Sequence, residues 1–251
     1  MVDLELIAPQ KSTQISFALE PAQNALASLY LLNAKSSGLG DWITQTAPQL
    51  TAEEYEENAH VCETAFAYLR NVSWPTFPAW LDELETWGPR ELTHLHLDSL
   101  LTRAKIHIGD ADLPALADLQ SDRQTYLSLM ERFAEEKGKP FDREHFLEEY
   151  ERLQNPLRER ERIVAHLRMM WKRHLAREWK SVLPTLQKSI TAFESLDLAG
   201  MSTSEAFSRV TARDQIPAPW EAWLSQVLEI VFIPSAHIGP YLMIIEADET
   251  V

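Results

Sequence analysis

Residues 156–182 read PLRERERIVAHLRMMWKRHLAREWKSV, and the reading of this stretch decides the fold. Proline at 156 suits a first helical turn, because the amide it lacks is one that a helix start leaves unpaired anyway. Apolar residues then recur at helical spacing: Ile163, Val164, Leu167, Met170, Trp171, Leu175 and Val182. The pattern predicts one long helix that Pro184 kinks or ends, since proline clashes with the turn before it. Between Arg158 and Lys180 there are eight Lys or Arg against three Glu. Arg162, Lys172, Arg173 and Lys180 project from the polar side, as a solvated face does. Arg160, His174 and Glu178 instead fall within the apolar stripe, and His174 and Glu178, four apart, can touch. Charge on a core-facing stripe must be paired or must face a cavity. Two readings follow. One is a satisfied internal ion pair. The other is a small-ligand pocket formed by Arg160, His174 and Glu178 between walls of Trp171 and Trp179.

Outward from this helix the chain reads as further helices. Pro21 opens one that runs to about Ala34. Thr51-Ala-Glu-Glu54 is a capping box, and the helix it starts, 52–70, is predicted to bury Tyr55, Ala59, Cys62, Phe66 and Leu69. Shorter or similar helices are expected at 77–87, 90–107, 121–137 and 142–154, punctuated by Gly88-Pro89, Gly138-Lys-Pro140 and Asn155-Pro156. After the long helix another runs to about Leu196, and a short one lies at 203–210. Three segments break the pattern. Gln14–Leu19, Val227–Ile233 and Tyr241–Ile245 read as strands, the last two joined by Pro234-Ser-Ala-His-Ile-Gly-Pro240. Asp248–Val251 reads as a turn entering a further strand, which suggests a piece of a longer protein. Trp220 and Trp223 with Pro217 and Pro219 form an aromatic corner expected to pack in the core. The expected fold is mainly α (α+β): a helical body beside a small antiparallel sheet built from the N-terminal strand and the C-terminal strands. No repeat or Gly/Ser-rich linker divides the chain, so residues 1–251 read as one unit.

Composition narrows the chemistry. The chain has 251 residues, 45% of them hydrophobic, which is ample for a core, and only seven glycines, too few for a fold made of turns. Its net charge of −15 argues against binding nucleic acid through these residues, since phosphate backbones are held by clustered Lys and Arg. A single cysteine, Cys62, excludes an internal disulfide and a thiolate metal cluster, and at its helical position it reads as a small core residue. No signal peptide and no span of apolar residues is present, so a reducing cytoplasm is the expected compartment and no membrane partner is expected.

Metal chemistry has two weak prompts. Glu57-x-x-His60 and Glu91-x-x-His94 have the spacing used by di-iron bundles, but both pairs fall off the apolar stripes of their helices. His94 and His96, two apart, point in different directions on a helix and read as solvated side chains. No metal and no cofactor is expected. Nucleophile elbows, phosphate loops and zinc-protease motifs are absent, and Ser235 and His237 stand near each other without a context that makes a nucleophile. No catalytic residue is assigned.

Ile230-Val-Phe-Ile-Pro-Ser-Ala-His-Ile-Gly-Pro-Tyr241, and Trp171-x7-Trp179-Lys-x3-Pro184-x-Leu186-x2-Ser189-Ile190, carry a resemblance. Looser support comes from Leu19-Glu-Pro-Ala-x-Asn-Ala-Leu26 and Ser73-Trp-Pro-x-Phe-Pro78. The sequence resembles the N-terminal effector region of long ArsR-type (arsenical-resistance repressor) transcription regulators, in which a C-terminal winged helix reads DNA. The resemblance implies a non-catalytic regulatory domain that senses a small-molecule effector or holds a homodimer together. DNA would be contacted only through a winged helix beyond residue 251. The paired-cysteine sensor of short ArsR repressors is missing, so arsenic or zinc sensing does not carry over. Ser235, His237 and Tyr241, in the connecting loop, are candidates for an interface. The rival readings are a protein–protein interaction module without a ligand and, more distantly, a metal-dependent helical-bundle enzyme.

Overall fold

The computed structural model describes residues 13–69, 72–109, 113–216, 221, 224 and 227–245. The chain divides into two compact units, one of residues 20–181 with 236–251, the other of residues 1–19 with 182–235.

The larger unit is helical. Its described helices are α1 (Pro21–Leu31), α2 (Asp41–Thr46), α3 (Ala52–Phe66), α4 (Phe77–Leu84), α5 (Pro89–Ile108), α6 (Leu116–Ser121), α7 (Arg123–Glu136), α8 (Arg143–Leu153) and α9 (Pro156–Met170), with a 3-10 turn at Ala47–Gln49. The capping box at Thr51 forms as the sequence requires, with Thr51 Oγ1 accepting from the Glu54 amide at 3.1 Å and Glu54 accepting from the Thr51 amide at 2.9 Å. Two apolar clusters fill the unit. Leu26, Leu29, Phe77, Trp80, Leu81, Ile163 and Leu167 belong to the first, and Leu97, Leu100, Leu119, Tyr126, Leu127 and Tyr150 to the second. Helix α5 serves both, giving Leu92 to the first and Leu97, Leu100 and Ala104 to the second.

The stripe of α3 differs from the expected one. The buried residues are Glu54, Asn58, Val61, Cys62 and Ala65, while Tyr55, Ala59 and Phe66 are only half-buried. Two of the five are polar and so invisible to an apolar pattern. Their burial is satisfied by partners: Asn58 Nδ2 donates to Leu29 O at 2.8 Å and Asn33 Oδ1 at 2.6 Å, and Glu54 pairs with Arg173. Glu57 and His60 are half-buried, Glu57 on Arg162 at 2.6 Å and His60 against the ring of His145 at 5.2 Å. Among the described residues no three His, Cys, Asp or Glu side chains are grouped to hold a metal.

The long helix departs from the sequence reading in two ways. A π-helical turn, Trp171–Leu175, joins α9 to α10 (Ala176–Glu194), and α10 runs through Pro184 without ending. The π turn inserts a residue, so burial steps from Met170 to Leu175 and then to Trp179, a stride of five followed by one of four.

In the smaller unit, β1 (Gln14–Phe17) and β2 (Glu229–Phe232) pair, with Gln14 opposite Glu229 and Phe17 opposite Phe232. The pairing is parallel, which corrects the antiparallel expectation. No short hairpin links these strands, so nothing local forces the chain to reverse between them. Residues 241–245, the expected antiparallel partner, form no strand. The connection that would have made the hairpin is bounded by Pro234 and Pro240, neither of which can donate to a ladder. The Phe17 ring lies 5.7 Å from both Phe193 and Phe232, and α11 (Thr203–Thr211) adds Phe207, 5.9 Å from Phe232. The aromatic corner at 217–223 and the strand expected after 248 lie outside the described residues. No helix among the described residues is long and apolar enough to cross a membrane.

Candidate functional site

The loop 236–241 is seated in the larger unit by glycine. A Cβ on Gly239, whose φ is +63°, would stand 2.0 Å from Gly38 O, and one on Gly40 would stand 3.0 Å from Ala236 O. These positions let two stretches of backbone touch where any side chain would hold them apart. Gly40 N donates to His237 O at 3.0 Å, and Tyr241 Oη donates to Ser37 O at 2.7 Å.

The loop carries His237 into the interior, where it is 2% exposed. Its Nδ1 is 2.8 Å from Ser28 Oγ on α1, its Nε2 is 3.3 Å from Glu178 Oε1 on α10, and its ring lies 4.8 Å from that of Trp42 on α2. Ser28 is itself fully buried, and its Oγ is also 2.8 Å from Asn24 O. A hydroxyl has one proton, so the row has two complete arrangements. With a neutral ring, Nε2–H donates to Glu178 and Ser28 donates to Nδ1. With a charged ring, Nδ1–H donates to Ser28, which donates to Asn24 O. Burial pushes the imidazole below its usual range, and the Glu178 carboxylate opposes that push.

Serine, histidine and glutamate in a row have the composition of a hydrolytic triad, but a nucleophile must be reachable. Ser28 has no exposed surface, so the row works as a buried tie between α1, α10 and the loop.

The residues singled out on the long helix separate. Arg160 Nη1 donates to Trp87 O at 2.7 Å, and its Nε is buried without a partner. Trp171 stacks against Phe77 at 5.3 Å and faces Trp179 at 6.5 Å, with Trp179 buried. His174 does not bond Glu178; its Nε2 is buried and unpartnered, and burial lowers its affinity for a proton. Glu178 goes to His237. Arg160 and His174 are fourteen positions apart, about 21 Å along a helix at ~1.5 Å per residue, so they do not converge on one small ligand. Of the loop residues, His237 and Tyr241 are tied in as described, and Ser235 falls within the smaller unit.

Ser28, Asn24, Trp42 and Gly40 complete the site without any sequence motif to announce them. One signal existed: a serine on the apolar face of a helix flanked by Leu26, Leu29 and Leu31 needs a polar partner from elsewhere. No family model, curated protein or solved structure matches this chain.

Proposed function

We propose that this chain is the non-catalytic regulatory region of an ArsR-like transcription regulator, acting on DNA through a winged helix that follows it. The reading is supported by one observation above others. His237, at the centre of the segment that carries the resemblance, is spent on internal partners, Ser28 at 2.8 Å and Glu178 at 3.3 Å, and presents no reacting group. Such a loop holds helices in register. In a regulator, holding and releasing helices is how an effector or a dimer contact biases attached DNA readers between two arrangements. The net charge of −15 agrees with a division of labour in which this region does not touch phosphate.

The test compares residues 1–251 with the product of the full reading frame on duplex DNA from upstream of the gene. The longer product is expected to shift that DNA at physiological salt, and residues 1–251 are expected to leave it free. Tight binding by residues 1–251, or a reading frame with no winged helix after them, sinks the proposal.

A further inference from the structure

The larger unit has two apolar clusters, and α5 crosses from one to the other between Leu92 and Leu97. At that crossing the side chains are polar. Thr93 and His96 of α5, Thr64 of α3, Tyr68 just beyond α3, and Glu149 and Arg152 of α8 line a small cavity. Tyr68 is 2% exposed and Thr93 4%. No hydrogen bond from the Tyr68, Thr93 or Thr64 hydroxyl, or from the His96 ring, reaches another protein group among the described residues. Buried hydroxyls left this way are costly, by about 1–3 kcal/mol each, unless something in the cavity bonds to them.

From this arrangement we infer a binding site for one ordered water, held by Tyr68, Thr93 and His96 at the seam between the two apolar clusters. Size decides the ligand. The cavity offers about 20 Å³, and a water needs roughly 10–15 Å³ on the same measure, so a larger effector does not fit. Chemistry agrees. Burial holds His96 neutral, with its ring titrating near about 4, so it offers one donor and one acceptor, and each hydroxyl can do either. A water, with two of each, matches that set. Ammonium is the same size but offers donors only and needs carboxylates. Glu159, also on the lining, is engaged with Arg162 at 2.5 and 2.9 Å, and burial holds Glu149 toward its neutral acid. The site does not depend on the DNA-regulator reading. It makes the contact between the two clusters a wet joint, where hydrogen bonds re-form through a mobile molecule when the helices shift.

Crystals of the chain grown without ammonium salts test this. The expected result is a density peak within about 3.2 Å of at least two of Tyr68 Oη, Thr93 Oγ1 and a His96 ring nitrogen. An empty cavity, or a peak that appears only in ammonium, overturns it. A double-mutant cycle with Tyr68→Phe and Thr93→Val gives a second reading by denaturant midpoint. A shared water makes the double variant's shift smaller than the sum of the single shifts, and strictly additive shifts overturn the inference.

Discussion

His237 Nδ1 and Ser28 Oγ meet at 2.8 Å across 209 residues of sequence, both inside the protein. Both residues are almost wholly out of reach of water, so the contact is made inside the protein. Removing the serine takes the hydroxyl away from the imidazole Nδ1, whereas the serine without the imidazole still reaches Asn24 O, and that asymmetry sets the size of the effect.

Ser28→Ala is therefore expected to cost about 1–3 kcal/mol, more than an alanine ordinarily costs in a helix, because the buried ring nitrogen loses this hydroxyl. Urea unfolding with an unchanged slope measures it. A change within about 0.5 kcal/mol would mean the tie contributes nothing.

Gly239→Ala is expected to unseat the loop, since the new methyl would stand 2.0 Å from Gly38 O. Gly138→Ala shares a positive φ of +61° but meets nothing within 4 Å, and it should cost only about 1 kcal/mol. Amide exchange over residues 236–241 should quicken in the first variant and stay unchanged in the second. Equal behaviour would show that close backbone contact is not what seats the loop.

Asn58 is fully buried and joins α3 to α1 through Leu29 O and Asn33 Oδ1, with His166 Nε2 3.3 Å from its Oδ1. Replacement by leucine, similar in size but mute, takes a donor from Leu29 O and Asn33 Oδ1 and the Oδ1 contact from His166, and should lower stability by about 2–4 kcal/mol. Thermal melting of Asn58→Leu against Val61→Ala, a fully buried apolar neighbour on the same helix, separates lost hydrogen bonds from lost volume. The asparagine variant should melt lower.

Acid should weaken the fold before most carboxylates titrate. His96 titrates near about 4 in the fold against 6.5 unfolded, and burial also depresses His60, His166 and His237. A depressed histidine means the unfolded chain takes its proton first. Stability is complete above about 6.5, falls as pH drops toward 4, and levels off below. Glu149, raised by burial, works with opposite sign: its contribution is present below 4.5 and is lost as pH rises. His96→Gln should flatten the curve between pH 6.5 and 4 by roughly 2 kcal/mol, and a curve as steep as the parent's would exclude His96 as a source.

Cys62 is enclosed, and burial pushes its thiol up and away from the thiolate form. A thiol reagent should label it only at the rate of unfolding. Rapid labelling under native conditions would show that α3 opens locally.

Much of the helical framework was readable from residues alone, because capping boxes, proline starts and apolar spacing act locally. The Thr51 cap and the boundaries near Gly88 and Asn155 are of that kind. What escaped acts at a distance or without apolar pattern. The stripe of α3 was misread because Asn58 and Glu54 are buried by partners far along the chain. The six-residue α2 and α6 are too short to show a period. The strand direction was misread because it depends on a return path of more than two hundred residues. Glu178 stands out in the sequence as a charge needing a partner, but spacing points to the local His174, whereas in the structure its carboxylate meets His237, 59 residues away. Ser28, a serine among leucines, gave the remaining hint of the row.

That turn has a consequence for the whole row. With five residues where a regular coil would place four, Trp171–Leu175 acts as a phase adjuster in an otherwise rigid rod. Winding all five as a regular α-helix, with none deleted, would swing the rod beyond by about 100°. Glu178 would then point away from the imidazole it now faces, with every contact before the turn left untouched.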